Sequence, residues 1–222
     1  MREIGGISME NVRVISHPLV QHHLTTLRDK NSSASEFRRG LRGITTLLAY
    51  AATQDLPAMI CQVETPMGLA TGTKVCSEQV VLVAILRAAL GMVEPITDLL
   101  PGARIGHLGI FRDERTLEPN VYYARTPAEL GNSLVLVLDP MLATGGSLAK
   151  ACSILKEHGA RRITALTVIA APEGIGVMAR EHPDVRIYAA SVDERLNATG
   201  YIVPGLGDAG DRQFGTFPEE KA

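Results

Sequence analysis

The segment from Leu134 to Ser147, LVLVLDPMLATGGS, combines residue types that can bind a phosphate group. Its apolar start is typical of a buried strand, which ends at Asp139. Ligands of parallel α/β sheets bind beyond the carboxyl ends of the strands. The Gly-Gly pair lets backbone N–H groups approach an anion, and a helix capped by Ser147 adds unpaired donors. The pattern predicts a phosphate cradle. It is not a Walker A loop, because no Lys follows the glycines. The Gly-Gly pair taken alone also suits a plain strand–loop–helix connection.

The stretch from Tyr201 to Asp211, YIVPGLGDAGD, has the composition of a loop that can bind a nucleobase. Backbone C=O and N–H groups in a Gly-rich loop can match the N3–H donor and the O2 and O4 acceptors of uracil. Cytosine reverses this pattern at positions 3 and 4 and would leave buried groups unpaired. The glycines also fit G-x-G-x-x-G, but the strand-to-helix context of a dinucleotide site is missing. A disordered tail is the other alternative, which Tyr201, Ile202, Val203 and Phe214 disfavour.

Two arginines are predicted at the carboxyl ends of strands. Arg87 follows the apolar run from Gln79 to Ile85, and Arg112 follows a strand predicted from Ile105 to Phe111. Two guanidinium groups at this edge of the sheet can bind a diphosphate through paired hydrogen bonds. Taken singly, each arginine fits a solvated surface position better than an anion site, and that alternative stays open.

Together these segments resemble the uracil phosphoribosyltransferases of the type I phosphoribosyltransferase superfamily. The string Asp-Pro-Met-Leu-Ala-Thr-Gly-Gly-Ser is typical of the uracil branch, and YIVPGLGDAGD is similar to its uracil-binding motif. The resemblance covers nearly the whole chain. It begins at His17-Pro18-Leu19-Val20 and includes Thr116 to Pro119 and Ala170 to Gly174.

The resemblance implies a set of site residues. Asp139 and Asp208 are the expected catalytic carboxylates, with Asp139 on the ribose and Asp208 near phosphoribosyl pyrophosphate (PRPP) or its metal ion. The residues expected to bind PRPP are Arg87, Arg112, Asp139, Pro140, Met141, Leu142, Ala143, Thr144, Gly145, Gly146, Ser147 and Asp208. Those expected to contact uracil, or the ribose beside it, are Tyr201, Ile202, Gly207, Asp208 and Ala209.

The implied reaction is a pentosyl transfer that converts uracil and PRPP to UMP and pyrophosphate in pyrimidine salvage. Catalysis would rest mostly on positioning and electrostatics, with Mg²⁺ as cofactor bound mainly through PRPP. Family members are dimers or higher oligomers, and some respond to GTP. The resemblance therefore implies a homo-oligomer and makes GTP a candidate effector.

Four positions depart from the family pattern, namely Ala51, Ala84, Ala89 and Arg195. Ala89 matters most, because a Cβ beside the pyrophosphate loop is harmful if that position needs φ > 0. These departures keep a second function open: a catalytically weak or inactive sensor or regulator that binds PRPP or uracil nucleotides. A transferase for another base is a third alternative, against which the intact 201–211 string argues.

The elements that must position these residues alternate between strands and helices, which predicts a parallel sheet with right-handed crossovers. Strands are predicted at 58–64, 79–85, 105–111, 134–138, 163–170 and 185–190. Helices are predicted at 19–28 and 173–181. Three further helices are predicted by one boundary each: one begins after a cap at Ser35, one ends at Leu100 and one begins at Ser147. The expected fold is an α/β phosphoribosyltransferase core of type I. A loop or hairpin at 112–127 should project from it, and a C-terminal base-recognition loop without helix or strand should follow Tyr201.

Composition and charge exclude several other classes of protein. The 222 residues, with 45% hydrophobic and 21% charged, suit one domain over 1–222. A net charge of −2 without a Lys/Arg cluster predicts no nucleic-acid or membrane partner. The three cysteines lack metal-site spacing, and the N-terminus lacks a signal-peptide pattern. The longest apolar strand, Val80 to Leu86, is too short to span a bilayer. These features predict a cytoplasmic protein.

Overall fold

A computed structural model describes residues 3–4, 7–8, 11–112 and 119–216, without the side chains of 3–4, 7–8 and 112. The strands are β1 Glu3–Ile4, β2 Ile7–Ser8, β3 Val12–Val14, β4 Ala58–Thr65, β5 Gly68–Val75, β6 Val80–Leu86, β7 Arg104–Arg112, β8 Pro119–Arg125, β9 Leu134–Leu138, β10 Met141–Leu142, β11 Arg162–Ala170, β12 Arg186–Val192, β13 Arg195–Leu196 and β14 Ile202–Val203. The helices are α1 Pro18–Arg28, α2 Ala34–Ala52, α3 Leu90–Leu99, α4 Gly146–Glu157, α5 Pro172–Glu181 and α6 Ala209–Phe214, with a 3₁₀ turn at Ser77–Gln79.

The central sheet has the order β3-β12-β11-β9-β6-β7-β8, and β10 extends it by pairing with β11. Every pairing in it is parallel except that of β7 with β8. The inner strands β6, β9 and β11 are apolar along almost their whole length because helices cover both faces of the sheet. The predicted α/β class with a mostly parallel sheet is confirmed.

Two hydrophobic clusters hold the helices against the sheet. Helices α1, α2 and α3 pack on one face, where Leu82 and Leu136 meet Ile44 of α2. Helices α4 and α5 pack on the other face, where Val83 and Val137 lie in one cluster with Leu155 of α4. Successive residues of a strand alternate between the two faces. The continuous apolar run of each inner strand therefore serves both clusters.

Three local predictions need correction. The cap of α2 is Ser33, whose Oγ accepts from the Glu36 amide while the Glu36 carboxylate accepts from the Ser33 amide. This capping box needs Glu three positions after the cap, and Ser35 does not have it. Helix α4 begins at Gly146 after Gly145, so Ser147 is not its cap. Strand β5, which forms a hairpin with β4, was missed because its exposed sequence has no regular apolar period.

The prediction that the stretch after Tyr201 contains neither helix nor strand is wrong, because this stretch contains regular structure. Strand β14 pairs with β13, and the six-residue helix α6 begins after Asp208, whose carboxylate accepts from the Asp211 amide. Elements this short are invisible to periodicity. The predicted arm is a β7–β8 hairpin in its described part, and residues 113–118 lie outside the described residues. None of the described helices is long and apolar enough to cross a membrane.

Candidate active site

A cleft of about 270 Å³ opens at the carboxyl ends of β6 and β9. Segments far apart in the sequence meet there: the end of β6, the loop between β9 and α4, and the loop between β14 and α6. The lining residues are Ile85, Leu86, Arg87, Ala88, Ile110, Asp139, Met141, Leu142, Ala143, Thr144, Gly145, Ser147, Leu148, Gly200, Tyr201, Gly207, Asp208 and Ala209. The parallel order brings these strand ends to one edge of the sheet.

The loop between β9 and α4 has the backbone geometry of an anion cradle. Gly145 has φ +86°, which only glycine adopts without strain, and a Cβ there would lie 2.9 Å from the Gly174 carbonyl oxygen. Helix α4 starts at the next residue, and the first N–H groups of a helix have no partner within the helix. Thr144 and Ser147, on either side of this helix start, line the cleft. Pro140 and Gly146 do not line the cleft, and the Pro140 carbonyl instead accepts from the amides of Val168 and Ile169.

Asp139 is the titratable group most strongly affected by this site. Burial raises the pKa of its carboxyl to about 7, and a hydrogen bond of 3.3 Å from the Met141 amide only partly opposes this effect. A carboxylate in such a place is stabilised when a cation or several hydroxyl donors approach it. The approach of such a ligand would therefore favour the ionised form of this carboxyl.

Of the two predicted arginines, the structure places Arg87 in the cleft. Its side chain is 62% exposed, and its guanidinium lies 3.6 Å from the Asp211 carboxylate, so an anion can reach it. Arg112 ends β7 opposite Pro119, and its side chain lies outside the described residues. Ala89 has φ −76°, an ordinary right-handed conformation. The condition under which its Cβ would disturb this loop is not met.

The predicted base loop lines the same cleft as the cradle. Tyr201, Gly207, Asp208 and Ala209 line the cleft, and Gly207 has φ +78°. Ile202 does not line it, because this residue is buried in the hydrophobic cluster on the α2 face. Any contact of Ile202 with a ligand would have to come from its backbone.

Sequence reasoning missed the ion pair that holds this loop. The side chain of Asp193, at the end of β12, is buried and accepts from both terminal nitrogens of Arg28, at 2.8 and 2.5 Å. Asp193 also accepts from the Gly205 amide at 2.9 Å, while Arg28 donates to the Gly205 carbonyl at 2.8 Å. Although burial raises the pKa of Asp193, hydrogen bonds from Arg28, Gly205 and Ser191 outweigh it and lower the value. The position of Asp193 after a buried strand was the available signal.

Comparison with known proteins agrees with this architecture. The family model of uracil phosphoribosyltransferase matches residues 14–216. The uracil phosphoribosyltransferases of Finegoldia magna and Pediococcus pentosaceus are each 50% identical over 208 residues, which is 94% of this chain and all of theirs. The solved structure of the AQ2163 protein from Aquifex aeolicus superimposes with a TM-score of 0.88 at 40% identity, covering 92% of this chain and 98% of that one. The resemblance inferred from the motifs is confirmed, and the chain belongs to the uracil phosphoribosyltransferase family.

Proposed function

We propose that the protein transfers the phosphoribosyl group of PRPP to uracil and releases UMP and pyrophosphate. One observation carries the proposal: both the Met141–Gly145 cradle and the Gly207–Ala209 loop line a single cleft. Arg87 and Asp139 line the same cleft. The family membership supports the same activity.

In the proposed reaction the cradle and the start of α4 hold the 5′-phosphate, and Asp139 accepts hydrogen bonds from the ribose hydroxyls. Arg87 neutralises the pyrophosphate, together with Arg112, whose role rests on the resemblance. The C1′–O bond breaks toward pyrophosphate, and uracil N1 forms the new bond to C1′ and loses its proton. Positioning and electrostatic stabilisation supply the catalysis, with no covalent intermediate on the protein.

Uracil recognition is assigned to the backbone of the loop from Tyr201 to Asp211. The positive φ of Gly207 turns its peptide groups in a direction that a residue with a side chain rarely adopts. Backbone donors and acceptors fixed in this way would pair with uracil and leave two mismatches against cytosine. At about 1–3 kcal/mol for each mismatch, the two together amount to about 2–6 kcal/mol, so we expect at least about thirtyfold discrimination.

Mg²⁺ is part of the proposal because two carboxylates, Asp139 and Asp208, line the same cleft. Magnesium is commonly held by one or two carboxylates together with substrate phosphates and water, which this donor set fits. When bound, the ion supplies positive charge against the leaving pyrophosphate. Asp208 already uses one carboxylate oxygen to cap α6, which fixes the direction of its other oxygen.

We further propose that the protein is a cytoplasmic homo-oligomer. The β4–β5 hairpin supports the assembly, because it exposes large apolar side chains on both strands and the turn, with Ile60 81%, Met67 95% and Leu69 80% exposed. Light scattering coupled to size-exclusion chromatography tests this assembly. GTP as an effector rests on the family resemblance alone, and titration of the activity with GTP tests it.

The deciding experiment incubates the pure protein with PRPP, Mg²⁺ and each common base and measures nucleotide formation. We expect UMP from uracil and no nucleotide from cytosine. Binding of PRPP without turnover would favour the sensor alternative. Its main support was the departure at Ala89, where the observed φ of −76° accommodates a side chain.

A further inference from the structure

Gln213 is a completely buried residue of α6 that hydrogen-bonds to two separate parts of the cleft lining. Its Nε2 donates to the carbonyl oxygen of Ala88 at 2.6 Å and to that of Ala209 at 3.1 Å. Ala88 belongs to the segment after β6 that carries Arg87, and Ala209 belongs to the base loop. One side chain therefore ties together the backbones of the two segments to which we assign pyrophosphate and uracil.

The orientation of this amide is determined by its partners. Both partners are carbonyl oxygens, so only the NH₂ end of the side chain can face them. Within the described part of the chain, the opposite atom Oε1 is buried and has no hydrogen-bond partner. A buried acceptor without a partner is unfavourable for stability, so its presence calls for another explanation.

Neighbouring groups keep Gln213 in this position. Arg38 of α2 donates to its backbone carbonyl at 2.6 Å. Gly91 of α3 leaves the room that the side chain needs, since a Cβ at position 91 would overlap Oε1. The Arg87–Asp211 pair joins the same two segments, but its charged groups are 3.6 Å apart and the Arg87 side chain is 62% exposed, so this pair contributes little. The buried amide is therefore the stronger of the two links.

We propose that Gln213 is a positioning residue that couples the Arg87–Ala88 segment to the Gly205–Asp211 loop, so that an anion bound at Arg87 also orders the base loop. The residue does not line the cleft. It acts through the backbone of Ala88, beside Arg87, and through the start of α6. The coupling deepens the proposed function and rests on it for the identity of the two ligands.

The test compares the wild type with Gln213→Met, which keeps an unbranched chain of similar length and removes the hydrogen bonds. Gln21→Met, at an exposed position of α1, is the matched control. Hydrogen–deuterium exchange of peptides 86–92 and 205–212 is measured without ligand and with Mg²⁺ and inorganic pyrophosphate. Steady-state kinetics and thermal unfolding accompany the exchange data.

Without ligand, we expect exchange in both peptides to rise about fivefold in Gln213→Met, the factor that corresponds to one lost hydrogen bond. Pyrophosphate should protect both peptides in the wild type but only 86–92 in the variant. The kcat should fall about tenfold while the melting temperature changes by only a few degrees. The control should match the wild type in every measurement.

Two results for Gln213→Met would overturn the coupling. One is protection of 205–212 by pyrophosphate in Gln213→Met as in the wild type. The other is a rise in exchange spread evenly over the sheet with a large drop in melting temperature, which indicates a purely structural residue. If Gln213→Met does not fold, Gly91→Ala is used instead, because its Cβ displaces the same amide. This variant should also raise exchange in peptide 205–212, and no rise in that peptide would refute the coupling. A wild type that neither binds pyrophosphate nor forms UMP refutes the proposed function instead, and the ligand-free comparison still decides the role of Gln213.

Discussion

Replacing Asp139 with asparagine should stabilise the folded protein at alkaline pH while it abolishes activity. Asparagine has nearly the same shape, and its Oδ1 can still accept from the Met141 amide. The change removes only the charge that burial disfavours. Opposite effects on stability and on activity are expected when a residue is kept for function at a cost in stability.

The magnitude follows from the proton affinity of the carboxyl group. Burial raises the pKa of Asp139 from 3.8 to about 7, a difference that corresponds to about 4 kcal/mol. The side chain is partly exposed to water in the cleft, so we expect about 2 kcal/mol at pH 8. The folded state binds this proton more tightly than the unfolded chain does. The free energy of unfolding therefore falls as pH rises from about 4 to about 7 and levels off above that range.

The assay is urea or thermal unfolding of wild type and Asp139→Asn at pH 4 and pH 8, with UMP formation measured in parallel. At pH 8 the variant should melt about 4–8 °C higher, and at pH 4 the gain should shrink to less than about one third because the wild-type carboxyl is then protonated. The exposed Asp98→Asn serves as the control. A variant that is destabilised at pH 8, or equally stabilised at both pH values, would refute the assignment of a buried, poorly solvated carboxyl. Near-normal turnover would remove Asp139 from the mechanism.

The remaining predictions concern the groups around the cleft. Arg87→Ala should raise the KM for PRPP at least tenfold and the KM for uracil much less, because a charge-assisted contact is worth about 1.5–3 kcal/mol. Initial-rate kinetics with each substrate varied test this, and an unchanged KM for PRPP would contradict the binding of pyrophosphate by Arg87. Gly207→Val should prevent uracil binding but leave PRPP binding largely intact, since φ +78° does not suit a β-branched residue; calorimetry with each ligand decides this, and normal uracil affinity refutes it. Arg28→Met should cost about 3 kcal/mol of stability, because the Asp193 carboxylate stays buried without its cation, and should raise the KM for uracil through the loosened Gly205; urea unfolding and kinetics test this, and an unaltered KM for uracil would separate the ion pair from the base loop.

The sequence alone was sufficient to predict the central strands and the glycine-containing loop to which we assign the phosphate. The run from Leu134 to Leu138 is bounded as predicted, because a strand buried on both faces must be apolar throughout and must stop at the first charged residue. The Gly-Gly pair indicated the cradle, because a close backbone approach and a positive φ each favour glycine at one particular position of the sequence. Arg87, Asp139, Tyr201, Gly207 and Asp208 were found through local strings, and the fold brings them to one cleft.

Only the tertiary structure decided which distant groups support that cleft. The Arg28–Asp193 pair and the Gln213–Ala88 hydrogen bond join residues far apart in the chain, and no local pattern specifies such contacts. The pKa of Asp139 depends on the water excluded by surrounding elements, which is a property of packing and not of the residue. The compatibility of Ala89 with its loop likewise rests on a backbone angle that the folded chain sets. Local strings could predict the candidate residues because each proposed contact needs a particular residue type at one position, whereas the relative positions of these groups depend on contacts that form only when the whole chain folds.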